Sequence, residues 1–62
     1  MQNTTHTYKF FNLNTNHTFY TSNNLKQITN FYHKVPRRKY STLILLNTIT
    51  GEVLKIKHPK YN

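Results

Sequence analysis

The sequence has no cysteine, and this excludes disulfide bonds and the commonest sets of zinc ligands. Its 62 residues form one domain at most. A chain of this length buries only about 60% of its unfolded surface. Small domains without disulfides or a structural metal usually depend on a partner. We therefore expect one small domain that self-associates or binds a ligand.

Acidic residues are almost as rare, because Glu52 is the only one against nine lysines and arginines. The formal charge is +8 and the sequence pI is about 10.1. General acid–base and nucleophilic catalysis need carboxylates, thiols or an oriented base that this composition does not supply. The spacing of the four histidines matches no metal-binding motif. We predict a protein that is not an enzyme and has no cofactor and no metal.

Long apolar runs are missing as well. The longest, Leu43 to Leu46, is too short to cross a bilayer, and the polar N-terminus does not resemble a signal peptide. We expect a cytoplasmic protein without a membrane partner. The abundance of Asn, Lys and Ile, without any Ala or Trp, is typical of an AT-rich genome such as that of a phage, and the location would then be the host cytoplasm.

Residues 1–6 show no apolar periodicity and are predicted to be disordered, which leaves residues 7–62 as a single small basic domain. Aromatic residues and threonines flank the polar triplet Asn14-Thr15-Asn16, a pattern that predicts a β-hairpin. Asn tolerates a left-handed backbone better than most residues, so it can replace glycine in this turn.

A helix is predicted from Asn24 to Lys34, where Leu25, Ile28 and Phe31 recur at helical spacing. Asn24 is the expected N-cap, with Gln27 as its partner in a capping box. Pro36 ends the helix and extends the residue before it.

A second hairpin is predicted from two segments with strand-forming residues, Tyr40 to Leu46 and Glu52 to His58. Between them, Gly51 is the only glycine, and its position indicates a left-handed residue that closes a bulged turn. The predicted fold is α+β, with two hairpins flanking one helix in the order β-β-α-β-β. The four strands would form an antiparallel sheet with the helix on one face.

The two hairpins are similar in sequence: residues 11–19 align with residues 46–54 at an offset of 35 positions (46 − 11). This similarity indicates either a duplicated strand-strand-helix unit or two hairpins with the same turn chemistry. We favour the second interpretation, because the match is short and the composition is biased.

Apolar residues are predicted on both faces of the second hairpin. Alternation places Leu43 and Leu45 on one face and Ile44, Leu46 and Val53 on the other. A sheet with one covering helix should be polar on its open face. We therefore predict that Ile44, Leu46 and Val53 form an interface with a second copy or a partner protein.

The basic residues cluster in two segments, from which we predict the polyanion contacts Lys34, Arg37, Arg38, Lys39, Lys55 and Lys57. Arginines in a short linker suit bidentate phosphate binding. Lys55 and Lys57 are two apart on a strand and share a face, which we expect to be the solvent side, opposite the helix. An alternative role for these two is to protect a sheet edge from other chains.

The segment YKFFNLNTNHTFYTSNNLKQITNFY resembles the small modules that accompany phage HNH and GIY-YIG homing endonucleases. These modules have an aromatic strand, a turn, a second strand and a helix that starts with Asn-Leu. The pattern is carried here by Tyr8, Phe10, Phe19, Asn24, Leu25 and Ile28. The resemblance implies sequence-tolerant DNA contact without nuclease activity.

The leading hypothesis is a small accessory or regulatory protein, of phage type, that binds nucleic acid through the phosphate backbone, with DNA favoured over RNA. The alternative is a phage-type inhibitor or adaptor that docks on an acidic surface of a host protein. A third possibility is a basic structural peptide within a larger assembly.

Overall fold

The fold was determined from a computed structural model that describes residues 7–60. The described residues form four strands and one helix in the order β1 (Tyr8–Asn12), β2 (Thr18–Ser22), α1 (Leu25–Lys34), β3 (Leu43–Asn47) and β4 (Val53–Lys57). One antiparallel sheet has the strand order β2-β1-β3-β4. The predicted α+β fold is confirmed. Residues 1–6, predicted to be disordered, lie outside the described residues.

Both hairpin turns are built from the same hydrogen bonds. Oδ1 of Asn12 accepts the N–H groups two and three residues further on, at 2.9 and 3.2 Å. Oδ1 of Asn47 accepts the equivalent pair at 2.9 and 3.2 Å. A left-handed residue closes each turn, Asn16 (φ 65°) in the first and Gly51 (φ 79°) in the second, as predicted. Their N–H groups donate to the carbonyls of Asn12 and Asn47 at 2.7 and 2.8 Å.

The likeness between the hairpins extends into the centre of the sheet. Phe10 of β1 lies opposite Leu45 of β3, and these residues are themselves 35 positions apart (45 − 10). The hydrogen bond from the N–H of Leu13 to the Thr42 carbonyl (2.8 Å) is repeated from Thr48 to Thr7 (2.8 Å). A pseudo-twofold axis therefore passes between β1 and β3 and relates the first hairpin to the second.

Each hairpin contains a register shift, at Phe10/Phe11 in the first and at Leu45/Leu46 in the second. A bulge of this kind places two residues opposite one and shifts the alternation of side chains. Leu46 pairs with Val53 and Leu45 pairs with Lys55, so one β4 residue between these two partners is left over. The pairing therefore determines the face of the sheet on which each β4 side chain lies. This face differs from the one that simple alternation along the sequence indicates.

The predicted orientation of Lys55 and Lys57 was wrong for this reason. They pair with Leu45 and Leu43, which are buried in the core beneath α1, so both lysines lie on the helix side of the sheet. Ile56, which lies between these two lysines in the sequence, pairs with Ile44 on the open face. The prediction was wrong because it assumed that side chains alternate along β4 without a bulge, whereas the register shifts opposite Leu45 and Leu46.

The start of α1 confirms Asn24 as the N-cap, since its Oδ1 accepts the N–H of Gln27 at 3.1 Å. The other half of the predicted capping box is made differently. The N–H of Asn24 donates to the hydroxyl of Ser22 at 2.9 Å, and this hydroxyl lies 3.3 Å from Oε1 of Gln27. At the other end, Val35 is extended (φ −86°, ψ 122°), as expected for the residue before Pro36.

The core lies between α1 and the β1–β3 centre of the sheet. Its fully buried side chains are Phe10, Ile28, Leu43 and Leu45. The ring of Phe10 contacts three other aromatic rings, with centroid distances of 5.2 Å to Phe19, 6.0 Å to Phe31 and 5.3 Å to Tyr32. Aromatic packing thus supplies part of the apolar contact in the core, together with the aliphatic Ile28, Leu43 and Leu45.

The predicted third strand began too early, because residues 40–42 lie outside β3. Tyr40 has a left-handed backbone (φ 61°), which a strand cannot contain. The chain between α1 and β3 is therefore a loop of eight residues (35–42), and this loop contains Arg37, Arg38 and Lys39.

Gly51→Val is expected to lower the free energy of unfolding by about 1 kcal/mol or more. A Cβ at Gly51 would meet no atom within 4 Å, so the loss would come from the left-handed backbone alone. Urea denaturation followed by circular dichroism measures it. Asn16→Gly, at the equivalent position of the first turn, should be neutral or slightly stabilising. An unchanged unfolding midpoint for Gly51→Val would contradict the role of this backbone conformation.

Candidate nucleic-acid interface

Six of the nine lysines and arginines lie in residues 34–39 and 57–60, two segments that meet at the C-terminal end of α1. Two hydrogen bonds bring the segments together. The N–H of Lys60 donates to the carbonyl of Arg38 at 3.0 Å, and Nζ of Lys57 donates to the carbonyl of Val35. We call this group the basic end; its members are Lys34, Arg37, Arg38, Lys39, Lys57 and Lys60.

Arg38 is exposed, yet its guanidinium has a definite support. The guanidinium carbon lies 5.4 Å from the ring centroid of Phe19, within the range of a cation–π contact. Phe19 in turn packs against the core through Phe10. The contact restricts the side chain while one side of the guanidinium stays available, so Arg38 is partly preorganised for an anion.

Lys57 is the least exposed cation of the basic end. Its Nζ lies 4.5 Å from the ring centroid of Tyr32 and donates to the carbonyl of Val35 just beyond the helix. Partial burial, and then the charge of Arg37, lowers the pKa of the Lys57 ammonium. A cation at the C-terminus of a helix is favoured by the helix dipole. Lys57 therefore has a structural role and also places positive charge beside Arg37.

Lys34 lies on the other side of the helix end. With Tyr20 and Phe31 it lines a shallow cavity of about 280 Å³ between α1 and β2. Lys39 is exposed in the turn that follows Arg38. The predicted contacts Lys34, Arg37, Arg38 and Lys39 therefore lie around one helix terminus. The side chain of Lys34 lies beside Tyr20, whereas the guanidinium of Arg38 lies over Phe19.

The pseudo-twofold axis explains the position of Lys55. Lys55 and Lys57 are equivalent to Tyr20 and Ser22 of the first hairpin (20 + 35 and 22 + 35). Tyr20 lies beneath α1 and stacks on Phe31, with a centroid distance of 4.8 Å. In the second hairpin the same side of the sheet carries two lysines, and no other described helix covers them. The surface beside α1 is therefore cationic and connects Lys55 to the basic end.

The single acid lies far from this surface. Glu52 follows the second turn, at the end of β3 that is remote from Leu43 and Lys57. Five strand residues at about 3.3 Å each separate the two ends by roughly 13 Å or more. That distance exceeds the screening length of about 8 Å at physiological salt. Glu52 therefore cannot neutralise the basic end.

The predicted interface residues Ile44, Leu46 and Val53 do share the open face of the sheet. Two further apolar residues that were not predicted for this interface, Phe11 and Ile56, lie on it as well. Val53 and Ile56 are the most exposed part, at 43% and 44%. Self-association through this face stays a prediction.

Within residues 7–60, no group of three or more His, Cys, Asp or Glu side chains is placed to hold a metal ion. The helix that this range contains is neither long enough nor apolar enough to cross a membrane.

No protein-family model, no curated protein and no solved structure matches this chain. The similarity of residues 8–32 to the modules of homing endonucleases is therefore still a prediction. The geometry of the basic end is the basis for assigning a function.

Proposed function

We propose that this protein is a small, non-enzymatic nucleic-acid-binding protein, of the phage accessory or regulatory type, that contacts backbone phosphates with its basic end. The observation that carries the proposal is the convergence of six cations on one end of α1, with the only acid on the other side of the fold. Lys55 extends this surface along β4.

The arrangement of the cations favours a chain of phosphates over a single small anion. Lys34 and Lys57 lie on different sides of the helix terminus, and the exposed Arg37, Arg38 and Lys39 follow one another in the loop. Cations spread in this way cannot all reach one anion, but they can neutralise successive phosphates. Contacts of this kind give affinity without sequence specificity.

Replacing Arg37 and Arg38 together by Ala should weaken binding to unrelated DNA sequences to a similar degree. Each phosphate contact on duplex DNA contributes about −0.9 to the slope of log affinity against log salt concentration. If each arginine contacts one phosphate, the slope should become shallower by about two units. Fluorescence anisotropy with a labelled DNA duplex over a series of salt concentrations measures both quantities.

The matched control is Lys9→Ala with Lys26→Ala, which removes the same charge outside the basic end. Its salt slope should stay close to that of the wild type. Equal effects of the two double variants would show that net charge, and not the basic end, determines binding. A wild-type protein without affinity for DNA or RNA at low salt would refute the proposed function.

The open face favours a second candidate function, docking on an acidic surface of a host protein, because it combines the exposed apolar residues Val53 and Ile56 with the cation Lys9. Such a partner would bind the open face and would not be displaced by nucleic acid. In a pull-down from host extract, a partner that stays bound when nucleic acid is added, and that is lost with Val53→Lys, would support this function.

A further inference from the structure

Tyr40 combines two features that rarely occur together. Its side chain is 73% exposed, and its backbone is left-handed, with φ of 61°. Positive φ is a genuine outlier for a bulky residue, and strain of this kind persists only where the surroundings impose it. The fold therefore keeps an exposed aromatic ring on a strained turn.

The loop holds Tyr40 from both sides. Two residues before it, the carbonyl of Arg38 accepts the N–H of Lys60 at 3.0 Å. Two residues after it, the N–H of Thr42 donates to Oδ1 of Asn14 at 2.8 Å, and the Thr42 carbonyl accepts the N–H of Leu13 at 2.8 Å. The ring is therefore presented by a backbone whose position is set by the rest of the fold.

The neighbours of Tyr40 in sequence are the cations of the basic end, Arg37, Arg38 and Lys39. Of the four tyrosines within residues 7–60, it is the only one that is exposed. Tyr32, the other tyrosine beside the loop, is buried in the core, and burial raises the pKa of its hydroxyl. One exposed aromatic ring thus lies directly beside the cations of the basic end.

We infer that the bound nucleic acid is single-stranded and that the ring of Tyr40 stacks on an unpaired base while the basic end contacts the adjacent phosphates. The inference rests on the proposed function. In a duplex the base faces are stacked on each other, so an exposed aromatic ring has no base face to contact. In a single strand each base presents a π-face, and the stack is tolerant of sequence.

Three probes of equal length test the inference by fluorescence anisotropy: a labelled single-stranded DNA, the same strand with abasic sites throughout, and the duplex. The wild type should bind the single strand more tightly than the other two. Tyr40→Ala should weaken binding of the single strand by about 5- to 150-fold. It should leave the affinity for the abasic strand and the salt slope unchanged, because phosphate contacts remain. Tyr40→Phe keeps the ring and should bind like the wild type.

Tyr40→Gly separates stacking from folding. Glycine adopts positive φ without strain, so this variant should unfold at a urea concentration equal to or higher than that of the wild type. Weaker binding of the single strand by an equally stable or more stable variant cannot result from unfolding, and it would support the stacking role.

The inference is overturned if Tyr40→Ala binds the single strand like the wild type, or if it weakens binding of the abasic strand equally. It is also overturned if the wild type prefers the duplex. In these cases a salt-dependent wild-type affinity that Arg37→Ala with Arg38→Ala reduces would leave the proposed function intact. Absence of wild-type binding to all three probes at low salt refutes both.

Discussion

Phe10→Ala is expected to lower the free energy of unfolding by about 3–5 kcal/mol. Phe10 is fully buried between α1 and the sheet, and its ring contacts Phe19, Phe31 and Tyr32. Truncation would remove the centre of this cluster and leave a cavity that neighbouring elements can fill only partly. A single core of this size rarely provides more than about 3–5 kcal/mol in total. Most of the variant should therefore be unfolded in buffer.

Circular dichroism and one-dimensional NMR in buffer, with urea denaturation of any folded fraction, measure this effect. Ile49→Ala is the control, because Ile49 is an exposed residue of the second turn. Its effect should stay within about 0.5 kcal/mol. A Phe10→Ala protein that is fully folded and loses less than about 1 kcal/mol would show that the aromatic cluster is not the main source of stability.

Features of the fold that depend on local chemistry could be predicted from the sequence. Asn24 caps α1, Pro36 follows the end of this helix, and Asn16 and Gly51 adopt the left-handed backbone of their turns. Each of these depends on residues within a few positions along the chain. The order β-β-α-β-β followed from these local signals. The position of the helix on one face also followed, because a helix between two hairpins has few ways to cover a four-stranded sheet.

The side on which each β4 residue lies could not be predicted in this way. It depends on the register shift opposite Leu45 and Leu46, which is set by pairing with another strand. One extra residue in a bulge reverses the alternation that the sequence pattern indicates. For this reason Lys55 and Lys57 were expected on the wrong side of the sheet, although their proximity to each other was predicted correctly.

The candidate site shows the same division. The sequence identified the cations of the loop, but their contact with the C-terminal segment requires that Lys57 pair with Leu43 and reach the carbonyl of Val35 at the end of α1. Sequence also could not show that Lys57 contacts Tyr32 and Val35, or that Tyr40 leaves the strand conformation. These features depend on residues distant in sequence, and they determine which cations are available to a ligand.

The pseudo-twofold symmetry allows one interaction to be tested in two environments. Asn12 and Asn47 make the same pair of hydrogen bonds to their turns, but those of Asn12 are partly buried and those of Asn47 are exposed. Asn12→Ala should lower the free energy of unfolding by about 1–3 kcal/mol, because two N–H groups that water reaches poorly lose their acceptor. Asn47→Ala should have a clearly smaller effect, since water can replace the side chain.

Urea denaturation of the two variants, followed by circular dichroism, measures the difference. Asn12→Asp is the matched control, because the carboxylate keeps an acceptor oxygen in the same place and adds a negative charge to a strongly basic chain. It should be more stable than Asn12→Ala. Equal losses for Asn12→Ala and Asn47→Ala would mean that the two turns contribute equally whatever their burial, and that desolvation of the unpaired N–H groups does not determine the cost.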